Sequence, residues 1–224
     1  MIPVTPADEP DTFDELVRQP GLRALARRVG IKVPGPGRPP KNIYPRREDI
    51  PSEEFPTTWR EAIPDLMARY NNLCAYTALY IEDGTGDPTV DHFTPVSSDW
   101  HNAYEWSNYR LACGQANTNK GLNRSLDPFD IKDDWFELEI VGYQVVPGKD
   151  TADILRAEIW DTINVVLDLN SARFCKQRRA YAEAYLAVPG IPLNYLERRA
   201  PFIARELRRH GKLHPADQIP PEPA

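Results

Sequence analysis

At 224 residues, with 41% hydrophobic and 27% charged residues, the chain is sized for one substantial core, or one core plus a small satellite. No apolar run approaches the roughly 18–20 residues that span a bilayer, and the acidic, Pro-rich start MIPVTPADEPDTFDE is the reverse of a secretory signal. Three cysteines, Cys74, Cys113 and Cys175, are too few for a disulfide scaffold, so reduced thiols and a cytoplasmic location are expected, with no membrane partner. The formal charge of −6 does not by itself mark a nucleic-acid binder, but the charge is unevenly distributed. Arg18 to Arg47 holds nine basic residues and no acidic one. Arg173 to Lys212 holds ten basic residues against Glu183, Glu197 and Glu206, and the stretch between, Asp127 to Asp161, is acidic. Two basic arms around an acidic centre suit a phosphate backbone, or else are ordinary solvated helix faces.

In chain order, residues 1–12 read as extended or disordered. Thr12 to Val29 predicts a short helix broken at Pro20 and a second one with Leu22, Leu25 and Ala26 on one face. Lys32 to Lys41, KVPGPGRPPK, is too rich in Pro and Gly for regular structure and reads as a strap or linker. Thr57-Thr58 is a candidate cap for a helix through Cys74, divided at Pro64, with Trp59, Ile63, Leu66, Met67 and Tyr70 as a core stripe.

Thr89 to Phe93 predicts a strand, Asn108 to Cys113 a second strand, and Gln115 to Asn123 a short helix. The segment SSDWHNAYEW between the strands is a polar, aromatic loop. Trp135 to Val146 predicts a β-hairpin, Thr151 to Leu169 an amphipathic helix with Ile154, Ile159, Ile163 and Val166 among its apolar positions, and Asn170-Ser171 the cap of a helix to about Ala187. Asn194 to His210 is helical and interrupted at Pro201, and the end, HPADQIPPEPA, reads as disordered. There is no internal repeat. The expected class is α+β: a mostly helical chain around a central strand–strand–helix motif, with a small extra hairpin. The expected division is a basic arm at 1–50, a core at 51–125, a hairpin and helical region at 126–214, and a tail at 215–224.

The chemistry concentrates in Thr89 to Gly121. Asp91-His92 is followed by Asn108 sixteen residues beyond His92, Asn117 nine further, and Lys120 three further. A phosphodiester repels nucleophiles, so its hydrolysis needs an activated water and a neutralised phosphate. An imidazole with an ordinary pKa of about 6.5 suits the general base, which makes His92 the candidate. Asp91 and Asn117 offer oxygen ligands, which favour Mg²⁺ or Mn²⁺. Adjacent strand residues face opposite ways, so Asp91 and His92 share a site only if the strand is distorted or if they reach the phosphate from two sides.

These residues resemble the HNH endonucleases, whose fold is the ββα-metal motif. D-H-x-x-P, then W-x-N-[aromatic]-x-L-x-C, then N-x-x-K-G carry the likeness, which covers about Leu73 to Gly121. The spacing from Asn108 to Lys120 resembles the HNH domain of RNA-guided CRISPR effectors. The resemblance implies metal-dependent cleavage leaving a 5′ phosphate and a 3′ hydroxyl. It implies one divalent cation on Asp91 and Asn117, and Asn108 bracing the loop that presents His92. Lys120 and, more weakly, Arg110 are candidate phosphate contacts in nucleic acid. A looser likeness, through C-A-Y before the motif and L-D-P-F and D-T-I-N-V-V-L-D-L-N after it, is to stand-alone bacterial HNH proteins such as the nuclease subunit of Septu-type anti-phage systems. That likeness implies a defence role and an ATPase partner.

One departure stands out. Many HNH proteins hold a structural zinc with two C-x-x-C knuckles; here the equivalents read Cys74-Ala75-Tyr76-Thr77 and Cys113-Gly114-Gln115-Ala116. Two thiolates do not close a tetrahedral zinc site, so no structural zinc is expected, with Cys74 and Cys113 buried side by side. The leading expectation is a cytoplasmic nuclease acting on DNA, with RNA as the alternative substrate. The rivals are an HNH scaffold that binds nucleic acid or protein without cutting, and a nuclease active only with an ATPase subunit. His101 reads as an exposed loop residue, Cys175 as helix core, and His210 and His214 as tail residues. Trp100, Tyr104 and Trp106 read as loop packing rather than base-stacking residues.

Overall fold

The structure, a computed structural model, describes residues 1–35, 37 and 39–218. The Pro-rich start forms no helix or strand before residue 11, yet it is docked. Val4 donates to the carbonyl of Pro128 at 2.9 Å, and Ala7 accepts from Trp106 Nε1 at 2.7 Å and donates to Tyr70 Oη at 3.1 Å. Core polar groups thus take up the hydrogen bonds that proline denies to a regular element.

Asp14–Arg18 forms a π-helical turn that runs directly into helix α1, Gln19–Arg28. Pro20 therefore sits in the first turn of the α-helical part, after the π-helical turn, instead of breaking the run. Gly21 is required by close approach: a Cβ there would lie 2.5 Å from the Tyr104 ring. Residues 32–41 carry no helix or strand among those described, and Arg27 gathers part of this strap by donating to the carbonyls of Val33 and Gly35. Thr57–Ala62 is a 3₁₀ segment leading into α2, Ile63–Arg69, with Pro64 in its first turn. Thr57 and Thr58 do not cap by side chain; Thr58 Oγ1 instead donates to the Val17 carbonyl at 3.1 Å, because tertiary packing brings that acceptor closer.

The centre is a two-stranded antiparallel sheet. Strand β1, Pro88–His92, pairs with β2, Tyr109–Cys113, placing Asp91 opposite Arg110 and His92 opposite Tyr109. Helix α3, Gly114–Lys120, begins at the residue after β2. It is shorter than the sequence suggests, because Gly121 turns away with φ +52°.

A second antiparallel pair, β3 (Phe136–Glu139) and β4 (Gln144–Pro147), forms the hairpin. Helix α4, Asp153–Asp161, continues as a π-helical turn over Thr162–Val166. Ile159, Ile163 and Val166 are buried, but Ile154 is 82% exposed, since it lies in the first turn before the helix meets the core. Helix α5, Ala172–Leu186, starts after Ser171 without a side-chain cap, and Asn170 is used elsewhere, exchanging two hydrogen bonds with the backbone of Val145. Helices α6, Leu193–Arg199, and α7, Pro201–Arg209, are separated at Ala200.

The expected disordered end needs correction in part. Pro215–Asp217 is a 3₁₀ turn tied down by Tyr185, whose hydroxyl donates to Asp217 at 2.7 Å and accepts from His214 N at 2.8 Å. His214 is therefore not an idle tail residue: its Nε2 also meets the Tyr185 carbonyl at 2.6 Å. Residues 219–224 lie outside the described part. Seven α-helices and two small antiparallel sheets among the described residues make the class α+β. Buried apolar residues from Met1 to Leu213 form one continuous core. Among the described residues no helix is long and apolar enough to cross a membrane.

Candidate active site

Strand β1 keeps regular pairing through His92, so Asp91 and His92 project to opposite faces. Each face meets a different environment.

On one face the His92 ring sits between Trp59 and Tyr109, edge-to-face with both at 4.8 and 5.1 Å between centroids. Its Nε2 lies 2.9 Å from the carbonyl oxygen of Ala103. A carbonyl can only accept, so Nε2 carries the proton of the neutral ring, and Nδ1 is left as the basic nitrogen. Burial holds the His92 pKa below its ordinary value, against the opposing pull of the Ala103 carbonyl and Asp91. The ring is therefore neutral, and able to accept a proton, at neutral pH.

The carbonyl that orients His92 is itself fixed. Tyr109 Oη donates to the same oxygen at 2.8 Å. Asn108 holds the loop on either side of it: Oδ1 accepts from Thr94 N at 2.8 Å, and Nδ2 donates to the carbonyls of Thr94 and Asn102 at 3.0 and 3.1 Å. Asn108 is a positioning residue, acting through the loop that carries Ala103.

On the other face Asp91 is 3% exposed. Its Oδ1 lies 3.0 Å from Lys120 Nζ, and Tyr76 donates its hydroxyl to Oδ2. Burial, and then the neighbouring Asp91 charge, push the Tyr76 pKa well up, so Tyr76 stays a donor. Lys120 is fully buried and also reaches toward the carbonyls of His92 and Phe93 at 3.4 and 3.5 Å. Asn117, one turn earlier on α3, donates to Thr89 Oγ1 at 3.1 Å and the Val90 carbonyl at 3.3 Å.

The donor types on this face fit a hard divalent cation. A carboxylate has about four lone-pair positions, and Asp91 commits two of them to Tyr76 and Lys120. Asn117 makes its bonds through Nδ2, and its Oδ1 has no hydrogen-bond partner among the described residues. Asp91 and Asn117 are the residues that would hold the ion, against the repulsion of the Lys120 ammonium.

Two candidate phosphate contacts are enclosed in this structure. Arg110 is 3% exposed: it pairs with Asp127 at 2.8 and 2.5 Å, donates to the carbonyls of Ser107 and Tyr109, and stacks over Phe129. Lys120 is equally enclosed. Both side chains serve internal ion pairs and present no charge to a phosphate at the surface. His101 is an exposed loop residue paired with Asp99 at 2.9 Å. Trp106 and Tyr104 are buried loop anchors, and Trp100 donates to Glu48 under the Arg47 guanidinium.

The half-knuckles meet beneath α3. Cys113 N lies 3.4 Å from Cys74 Sγ, and both thiols are free. Thr77 and Ala116 stand where the second knuckle cysteines would be, and both are buried.

Sequence reasoning missed Trp59, Tyr76 and Tyr109. Tyr109 was recoverable, since pairing the two strands puts it opposite His92. Trp59 lies more than thirty residues upstream and carries no local signal. No protein-family model matches the chain, and no curated protein matches it.

Proposed function

We propose that the chain is a metal-dependent endonuclease of the HNH type, hydrolysing phosphodiester bonds in DNA, with RNA as the alternative substrate. The observation that carries this reading is His92. Its protonated Nε2 is fixed on Ala103, the carbonyl is fixed in turn by Tyr109 and the Asn108-braced loop, and Nδ1 is left as an oriented base.

In this reading the base and the metal ligands reach the phosphate from the two sides of β1: Nδ1 of His92 takes a proton from water, and the water oxygen attacks phosphorus while the bond to the 3′ oxygen breaks. A divalent ion on Asp91 and Asn117 supplies charge stabilisation for the phosphate and the leaving oxygen when bound. Trp59 and Tyr109 hold the imidazole plane and keep its pKa low. Asn108 and Ala103 preserve the tautomer.

A second reading is favoured by one observation. Asp91 is already neutralised by Lys120 and buried, as the carboxylate of a non-cutting scaffold would be. Nicking of supercoiled plasmid separates the two. The nuclease reading expects nicks with Mg²⁺ or Mn²⁺, none with EDTA, and none from His92→Ala. Equal nicking by wild type and His92→Ala would overturn it, and so would an inert wild type with either ion. Co-purification from the native host, followed by the same assay, tests the ATPase-dependent form and the defence role.

A further inference from the structure

With Arg110 and Lys120 enclosed, the cations that meet the substrate lie elsewhere. Eight of the chain's twenty arginines form ion pairs with carboxylates among the described residues, among them Arg18 with Glu9, Arg28 with Glu54, Arg199 with Glu82, Arg205 with Asp133 and Arg208 with Glu197. In the C-terminal basic arm Arg199, Arg205, Arg208 and Arg209 are paired in this way, and Arg178 is buried against the carbonyls of Tyr143 and Leu169.

In the N-terminal arm, between α1 and residues 37 and 39–41 of the strap, lies a groove of about 490 Å³ lined by Arg23, Arg27, Arg28 and Lys41, with no acidic residue among its described lining. Arg23 and Lys41 make no ion pair or hydrogen bond with other described residues, and Lys41 is exposed. Arg27 shapes the strap by binding its carbonyls, and prolines 20, 39, 40 and 56 stiffen the walls. The floor connects to the catalytic face. Tyr104 donates to the Pro56 carbonyl at 2.8 Å, stacks on Trp59 at 6.0 Å, and Trp59 touches His92.

The geometry points to this groove as the docking site for the phosphodiester backbone of DNA flanking the bond presented to His92. The inference rests on the nuclease reading for its orientation, but binding can be measured without cutting. Uncompensated cations in a stiff, acid-free groove suit a repeating anion, and each neutralised phosphate releases counterions that make affinity fall with salt.

The test is fluorescence anisotropy of a short fluorescein-labelled DNA duplex, with all variants in a His92→Ala background. Arg23→Gln with Lys41→Gln should weaken binding about tenfold and lower the slope of log affinity against log salt by about 2, one phosphate per lost cation. Arg23→Lys with Lys41→Arg should restore both. Lys149→Gln with Lys176→Gln, an equal charge change in the C-terminal half, should leave affinity within about threefold. Equal loss in the two Gln pairs, or no loss in the first, overturns the groove, as does a His92→Ala protein that does not bind duplex at low salt. The same loss on an RNA duplex supports a phosphate groove that does not read the sugar. Binding as predicted with no nicking by wild type keeps the groove and rejects the nuclease; nicking with unchanged binding does the reverse.

Discussion

The two faces of strand β1 carry adjacent residues in opposite conditions. His92 is partly buried, held by one carbonyl and two rings, and keeps a basic nitrogen without a hydrogen-bond partner among the described residues. Asp91, one residue earlier, is enclosed with a cation and a hydroxyl on its two oxygens. A base is useful only while a lone pair is available, so its supports hold the other nitrogen. A buried carboxylate is tolerable only when its charge is balanced, so its supports hold the reactive atoms themselves. The strand thus offers one residue poised for proton transfer and one that doubles as the fold's internal counter-ion.

The sharpest way to break this comparison is to remove the poised base. His92→Ala should lower the nicking rate by about 10²–10⁴-fold, the usual contribution of a general base, while urea unfolding shifts little. If stability collapses with rate, His92 belongs with Asp91 as a structural residue.

The opposite face should answer in stability. Lys120→Met leaves the Asp91 charge buried and unpaired, and should cost about 3–5 kcal/mol by chemical denaturation. Adding Asp91→Asn removes the orphaned charge and should recover part of that loss. A Lys120→Met protein as stable as wild type would show that the ion pair is replaceable by water.

Asn108→Ala tests the support behind the base. It removes three hydrogen bonds to the loop at about 0.5–1.5 kcal/mol each, so a loss of about 2–3 kcal/mol in unfolding free energy is expected. The rate should fall with little change in KM, since Ala103 no longer fixes the imidazole.

The smallest effect is in pH. As the proposed base His92 would act when unprotonated, and burial holds its pKa below its ordinary value of about 6.5. The rising, acid-side limb of the rate should therefore have its midpoint below a pH of about 6.5. Trp59→Ala exposes the ring, so the same limb should move upward toward the ordinary value. An unmoved limb would mean that the titration observed belongs to another group.

Much of this site was legible because it is local. Asp91-His92, Asn108 and Asn117 lie within 27 residues, and alternation, turn residues and the short helix before Gly121 fix their order. Helix boundaries were less legible where proline and tertiary acceptors compete. Pro20 sits in the first turn of a helix instead of ending one, and Thr58 bonds to Val17 instead of capping. The two basic arms look alike in composition. Only the fold shows which of their cations are paired: Arg199, Arg205, Arg208 and Arg209 meet acidic partners drawn from residues 82 to 206, while Arg23 and Lys41 line an acid-free groove.

The sequence by itself determined the strand–loop–strand–helix order, the α+β class and the gathering of Asp91, His92, Asn108 and Asn117 in one window, because residue type and short-range spacing set these. The tertiary structure decided which charges remain available. Whether Arg110, Lys120 or Arg23 can meet a phosphate depends on which carboxylate folding brings within reach, and Asp127 and Asp91 stand 17 and 29 residues from their partners. Charge pairing acts through space, with a strength set by burial, so side chains that look equivalent along the chain became counter-ions in the core or open cations in a groove.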